Sequence, residues 1–365
     1  MSELPTYEPD FEEYIRQGEP DKKAKAENWQ VAIGLQQVDG LQVSDYLLET
    51  ARRNIEGEIS IDEVQRLIKA YYVSKELRTE DDENRAEADR VSTNINKILA
   101  TRTLDFSVNG LISLHRRIFE GVFKHAGKVR DFDITKKEFV LRGNTVHYLN
   151  WEDLRRALEY DLEKEKQFSY AGLSQNEMIA HFTQFVSGLW QIHAFAEGNT
   201  RTTAVFTIQY LRSIGFDVDN EPFARNAWYF RNALVRANYR NIAQGIDYSP
   251  IYLERFFRNL LLGEQWELKS RYLVTNPPEG YTDQPRQDKE DVTQNVTQNV
   301  TQSITARQRE ILRLMQIDSS ISAAKLAEQL GVTVRSIRRD IETLRAFYKI
   351  NWIGSSKKGH WEIQN

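Results

Sequence analysis

The chain has 365 residues, 40% of them hydrophobic, a formal net charge of −4 and no cysteine. That length predicts two or three domains with real cores, and the lack of cysteine excludes disulfides, thiol catalysis and cysteine-ligated zinc. No apolar run approaches the ~18 residues of a membrane span, and the first residues are acidic, so the sequence predicts no membrane association, no export signal and a cytoplasmic setting.

Residues 1–100 read as an N-terminal helical region that contains Ile55-Glu56-Gly57-Glu58 and the acidic run Glu80-Asp81-Asp82-Glu83. By charge pattern alone that run is a solvated face. Residues 101–275 read as a core. Phe106, Leu111, Leu114, Ile118 and Phe119 recur there at helical spacing, followed by Ala126-Gly127-Lys128-Val129-Arg130. Next, Glu138-Phe139-Val140-Leu141 and Thr145-Val146-His147-Tyr148 set β-formers on both sides of Arg142-Gly143-Asn144, the pattern of a hairpin. Ile179, Phe182, Phe185, Val186, Leu189 and Ile192 predict a helix over 176–192, and Val205, Phe206, Ile208 and Leu211 a second one running to Gly215. A polar-aromatic helix carrying Trp228, Tyr229 and Asn238 is expected over 226–238.

Residues 276–304 are too polar to bury a core and read as a linker, in which Thr293-Gln294-Asn295-Val296 repeats at once. Residues 305–365 read as a winged helix-turn-helix: one helix from Ala306, a second after Ser322 closed by Gly331, a third carrying Ile337, Ile341 and Leu344, then a short hairpin. This segment holds 11 Lys/Arg against 6 Asp/Glu, although the whole chain is acidic. Such asymmetry predicts contact with double-stranded DNA, through Arg335, Ser336, Arg338 and Arg339 on the third helix and Lys357 and Lys358 in the wing.

The segment His193-Ala194-Phe195-Ala196-Glu197-Gly198-Asn199-Thr200-Arg201 lies between the two core helices and opens the second. A helix N-terminus offers free N–H groups and the positive end of the macrodipole, a ready anion site. Gly198 lets the backbone come close, and Arg201 adds a charge suited to phosphate. Glu197 is a hard oxygen ligand fit for Mg2+, and His193 titrates near neutrality and can act as general base. A zinc pair of His193 and Glu197 would supply only two ligands. Base, metal ligand and anion cradle together suit phosphoryl or nucleotidyl transfer.

The segment resembles the signature HxFx(D/E)GNxRxxR of the Fic (Fido) family, matching it at His193, Phe195, Glu197, Gly198, Asn199 and Arg201. The resemblance implies a mainly α fold, a helical core with a short β-hairpin flap, and transfer of AMP from Mg·ATP to a Ser, Thr or Tyr hydroxyl of a protein, including its own chain. It makes His193 the base, Phe195 the loop anchor, Glu197 the Mg2+ ligand and Asn199 the loop brace. Gly198, Asn199, Thr200 and Arg201 become the phosphate site, and Tyr229 and Asn238 contacts of the adenosine. Phe139, Val140 and Leu141 become a flap that docks the target strand; Tyr229 is equally readable as core. The family's self-inhibitory pattern points to Glu56, with Glu83 as the alternative, and its cores often pair as homodimers. The C-terminal segment resembles DeoR-type helix-turn-helix domains. Three positions depart from the family's usual residues: Ala194 stands for a proline, Thr200 for a second glycine, and Ala204 for the second arginine, which grips the γ-phosphate. These departures equally suit a DNA-binding regulator whose core only binds a nucleotide.

Overall fold

Helices begin where the sequence supplies a cap: Ser44, Ser60, Thr79, Ser107 and Ser174 each accept the backbone N–H three residues on. The computed structural model describes residues 11–17, 19–75, 79–101, 103–216, 220–276 and 306–330, then 334, 337, 340, 341, 344, 349–353 and 360–364. Its N-terminal helices are α1 (Glu12–Gln17), α2 (Pro20–Gly34), α3 (Asp45–Glu56), α4 (Ile61–Ser74) and α5 (Glu80–Leu99). The larger set is α6 (Val108–Ile118), α7 (Leu154–Gln167), α8 (Gln175–Ile192), α9 (Asn199–Ser213), α10 (Glu221–Arg225), α11 (Ala227–Ala237) and α12 (Ile251–Leu262). The C-terminal part adds α13 (Ala306–Ile317), α14 (Ala323–Gln329) and the strands β1 (Lys349–Ile353) and β2 (His360–Gln364).

Helix α9 is the axis of the molecule, because every residue from Asn199 to Leu211 is buried. A helix buried all round sits inside a core rather than on it. Phe182, Phe206, Phe230, Phe256 and Phe257 fill the space between α8, α9, α11 and α12. A smaller core of Trp29, Leu47, Ile55, Val64 and Ile68 knits α2, α3 and α4 together. Helix α2 serves both cores: Trp29 and Ile33 face the small one, Val31 and Ala32 the large one. It docks closely on α10 because Gly34 has no side chain; a Cβ there would lie 2.0 Å from the Ala224 carbonyl oxygen. The N-terminal region is therefore packed into the wall of the main core.

The flap differs from the hairpin that its β-formers predict. Phe139–Leu141 is a 3-10 turn, and among the described residues the segment forms no strand. The chain does double back, since Glu138 N–H donates to the Asn144 carbonyl and Gly143 N–H to that of Glu138. Val140 and Leu141 leave the ladder because they are fully buried in the large core, and of the three expected docking residues only Phe139 remains exposed.

In the C-terminal part, Ile311, Met315, Leu326, Ile337, Ile341 and Leu344 form a separate apolar cluster. Ser322 caps α14, and β1 pairs antiparallel with β2, setting Trp352 opposite Trp361. The Trp361 indole donates to the Ile321 carbonyl and pins this hairpin to the helices. No helix among the described residues is long and apolar enough to cross a membrane.

Candidate functional site

Helix α8 stops at His193, whose backbone takes the left-handed conformation (φ 51°). That conformation is costly for a residue with a side chain and persists where the surroundings impose it. Arg130 imposes it here. Its backbone N–H donates to the Ala194 carbonyl, and its buried guanidinium donates to the carbonyls of His193, Ile192, Phe132 and Leu149. One cation thus closes the frayed end of α8 and fixes the next turn.

The loop is braced a second time by Asn199. Its side-chain oxygen accepts from Phe195 N–H at 2.9 Å and its amide donates back to the Phe195 carbonyl at 2.6 Å. Phe195 is buried, stacked on the His115 ring at 3.8 Å. His115 accepts the Gly127 N–H at Nδ1, so its proton sits on Nε2 and is donated to the Glu197 carbonyl. Burial drives the pKa of His115 down to about 4 and keeps that tautomer neutral. Gly198 is needed where it stands: its φ is +74°, and a Cβ would press into the Phe119 ring at 2.2 Å.

These contacts hold the His193 imidazole inside the protein, between the Tyr148 ring (4.1 Å) and the Trp190 ring (5.2 Å). Neither ring nitrogen has a hydrogen-bond partner. Burial, reinforced by the nearby charges of Lys136, Arg130 and Arg231, holds its pKa well below the usual value. The ring is therefore neutral at physiological pH and can accept a proton. It faces a cavity of about 20 Å3 at the N-terminus of α9, room for one water molecule and far less than a nucleotide.

The cavity walls are charged. Lys136 comes from the flap and Arg231 from α11, while Glu138 pairs with Arg231 at 2.8 Å and accepts the Tyr148 hydroxyl at 3.0 Å. Thr200 accepts the Trp190 indole N–H at 2.9 Å. Asp39, at the end of the 3-10 turn Leu35–Asp39 that follows α2, closes the remaining side.

Arg201 is engaged from the same direction. Its guanidinium lies over the Phe119 ring, donates to Gln36 at 3.1 Å and to Glu87 of α5 at 2.7 Å, and lies 2.9 Å from the Asp39 carboxylate. Glu197 is on the opposite footing: its side chain is exposed. Among the described residues no group of three metal-ligating side chains occurs. A single free carboxylate suits Mg2+, which draws the rest of its shell from water and phosphates.

Several expected residues stand elsewhere. Glu56, the expected inhibitory acid, ends α3 on the surface and pairs with Lys22 at 2.7 Å. It sits in the small core's shell, while Asp39 and Glu87 reach the motif arginine in its stead. Tyr229 is buried with its hydroxyl on the Tyr252 carbonyl, and Asn238 binds Ser187 and Leu234, so both serve packing between helices. Val140 and Leu141 lie in the core. Arg335, Ser336, Arg338, Arg339, Lys357 and Lys358 lie outside the described residues. The sequence reading passed over Asp39, Glu87, Arg130 and His115 as parts of the site. Asp39-Gly40 carried the same acid–glycine signal as Glu56-Gly57, with aspartate for glutamate.

Two family models match the chain: the Fic/DOC family over residues 105–211 and an HTH domain over residues 307–359. A protein adenylyltransferase, VbhT, from Bartonella schoenbuchensis is 26% identical over 178 residues, which is 45% of this chain and 36% of that protein. The similarity thus spans little more than a third of the relative's length. Among solved structures, a Fic family protein from Desulfovibrio desulfuricans is 13% identical with a TM-score of 0.42, covering 96% of this chain and 90% of that one.

Proposed function

From a Fic/DOC domain at 105–211 and a helix-turn-helix domain at 307–359, we propose that the protein is an adenylyltransferase. It would move AMP from Mg·ATP to a protein hydroxyl and bind double-stranded DNA through its C-terminal part. The observation that carries this is the His193 imidazole, neutral, buried and without a partner at either nitrogen, facing a cavity at the N-terminus of α9. A buried polar group left unpaired costs about 1–3 kcal/mol, so its persistence calls for a use.

In the proposed reaction a Ser, Thr or Tyr hydroxyl gives its proton to His193 while its oxygen attacks the α-phosphorus. The α–β bridging bond breaks and pyrophosphate leaves with the electron pair. Arg201 and the N–H groups of Gly198 to Thr200 would hold phosphate oxygens, and Asn199, Phe195 and Arg130 keep the loop in register. Glu197 would hold Mg2+, which neutralises phosphate charge. Of the three expected docking residues, the exposed Phe139 is the one that could touch a target.

We take this arrangement for a closed form of the site, since Asp39, Glu87 and Gln36 occupy the Arg201 guanidinium. We read Asp39 as the restraint, in the role that the sequence pattern assigned to Glu56. ATP and DNA as reactants point to the cytoplasm. The closed cavity and Ala204 favour a second reading, a DNA-binding regulator whose core senses a nucleotide without transferring it. ATP labelled at the α-phosphate distinguishes the two: the enzyme leaves label on protein, and the regulator leaves none while a DNA fragment still binds. Arg338→Ala and Arg339→Ala should weaken DNA binding and lower its salt slope by about 1 each.

A further inference from the structure

We infer that the β- and γ-phosphates of the nucleotide are held by Lys136 and Arg231, with the Thr200 hydroxyl between them, in place of the missing second motif arginine. This rests on the nucleotide reading above and identifies how the site meets the charge that Ala204 cannot. Ala204 is wholly buried in the packed middle of α9, so nothing at that position reaches the cavity. Two cations enter it from elsewhere instead, Lys136 from the flap and Arg231 from α11, both lining the cavity with His193 and Thr200.

The Lys136 ammonium makes no hydrogen bond among the described residues, although burial penalises its charge. A largely buried cation beside the positive end of a helix is unfavourable unless an anion joins it. In the closed form the carboxylates that act on it are Asp39, Glu138 and Glu197. Asp39 bridges toward Arg201 as well, so its carboxylate stands where phosphate oxygens would meet both cations. Arg231 is anchored by Glu138 and by the Trp228 face, which aims a rigid fork at the same space. Thr200 completes the set. Its oxygen already accepts the Trp190 indole N–H, leaving the hydroxyl proton to donate into the cavity that the residue lines. Two of the departures from the family pattern, Thr200 and Ala204, are thereby accounted for by one relocated anion site.

The test is equilibrium binding of ATP and AMP, with Mg2+, to the full chain and to Lys136→Met, Lys136→Arg and Arg231→Lys, each checked by thermal melting. Lys136→Met removes no hydrogen bond and should fold. It should weaken ATP by about tenfold, the worth of one charge-assisted contact, and leave AMP within about twofold. Lys136→Arg should keep ATP binding. Equal ATP-over-AMP preference in the parent, Lys136→Met and Arg231→Lys would overturn this inference while leaving the adenylyltransferase reading intact. Failure of both the parent and Asp39→Ala to bind ATP would overturn the nucleotide reading and this inference with it.

Discussion

Two buried polar constellations in the large core, one around Glu165 and one around His193, show how differently the same fold treats an ionisable side chain. Glu165 of α7 accepts the hydroxyls of Tyr170 and Tyr210, the latter at 2.6 Å, and the His181 imidazole of α8 at 2.7 Å. Its donors are matched one for one, and it ties α7, α8 and α9 together. His193, the residue that caps the end of α8, is just as buried, sits in a strained backbone conformation and has neither nitrogen matched. A satisfied cluster holds a fold, whereas an unsatisfied one held rigid by its neighbours marks a site.

Substitution at the two centres should separate these roles. His193→Ala should lower AMP transfer by about 10²–10⁴-fold and leave the melting temperature unchanged or higher, as followed by labelled ATP and by calorimetry. A stable variant that still transfers at the parent rate would erase the distinction. Glu165→Leu should do the reverse. Stripping the acceptor from two tyrosines and a histidine should cost roughly 3 kcal/mol or more in denaturant unfolding, with transfer by the surviving folded fraction near normal.

The contrast also has a pH signature. His115 folds neutral with a pKa of about 4, whereas the unfolded chain takes up that proton near pH 6.5. Because the unfolded state binds more protons between these values, stability should be complete above about pH 6.5 and decline as pH falls toward 4. The loss should reach about 3 kcal/mol. The depressed His193 adds loss of the same sign. Unfolding curves at pH 7 and pH 5 check this; equal midpoints would mean that neither imidazole is held neutral.

A finer comparison sets Asp39 against Glu56, two acids that each precede a glycine. Asp39→Ala should remove one of the three side chains that hold Arg201, leaving Glu87 and Gln36, and raise nucleotide binding and AMP transfer by about tenfold, the scale of one such contact. Glu56→Ala should change neither, because it removes only surface contacts with Lys22 and Tyr14. Activation by Glu56→Ala without activation by Asp39→Ala would invert the assignment.

The sequence disclosed the helices around the motif almost to the residue, since α8 and α9 carry long apolar periodicity. The motif's local geometry was legible for the same reason: His193, Gly198 and Asn199 shape one turn within a few residues of one another. The flap was misread because β-forming composition cannot tell a strand from a turn whose Val140 and Leu141 are pulled into a core. Asp39, Glu87 and Arg130 were hidden because their role depends on contacts across long stretches of chain. Glu87 lies in a helix so acidic that it reads as a solvated face, yet it is turned onto a buried guanidinium.

The account stands on His193 as the group that takes the proton in AMP transfer. Its most direct measurement follows α-labelled ATP, with γ-labelled ATP as control, onto protein for the Asp39→Ala chain and for the same chain carrying His193→Ala, each incubated with Mg2+ and a cell extract. The account predicts α-label on protein with the first chain, none with the second, and no γ-label with either. Equal α-labelling by both chains, or none by the first, would contradict it.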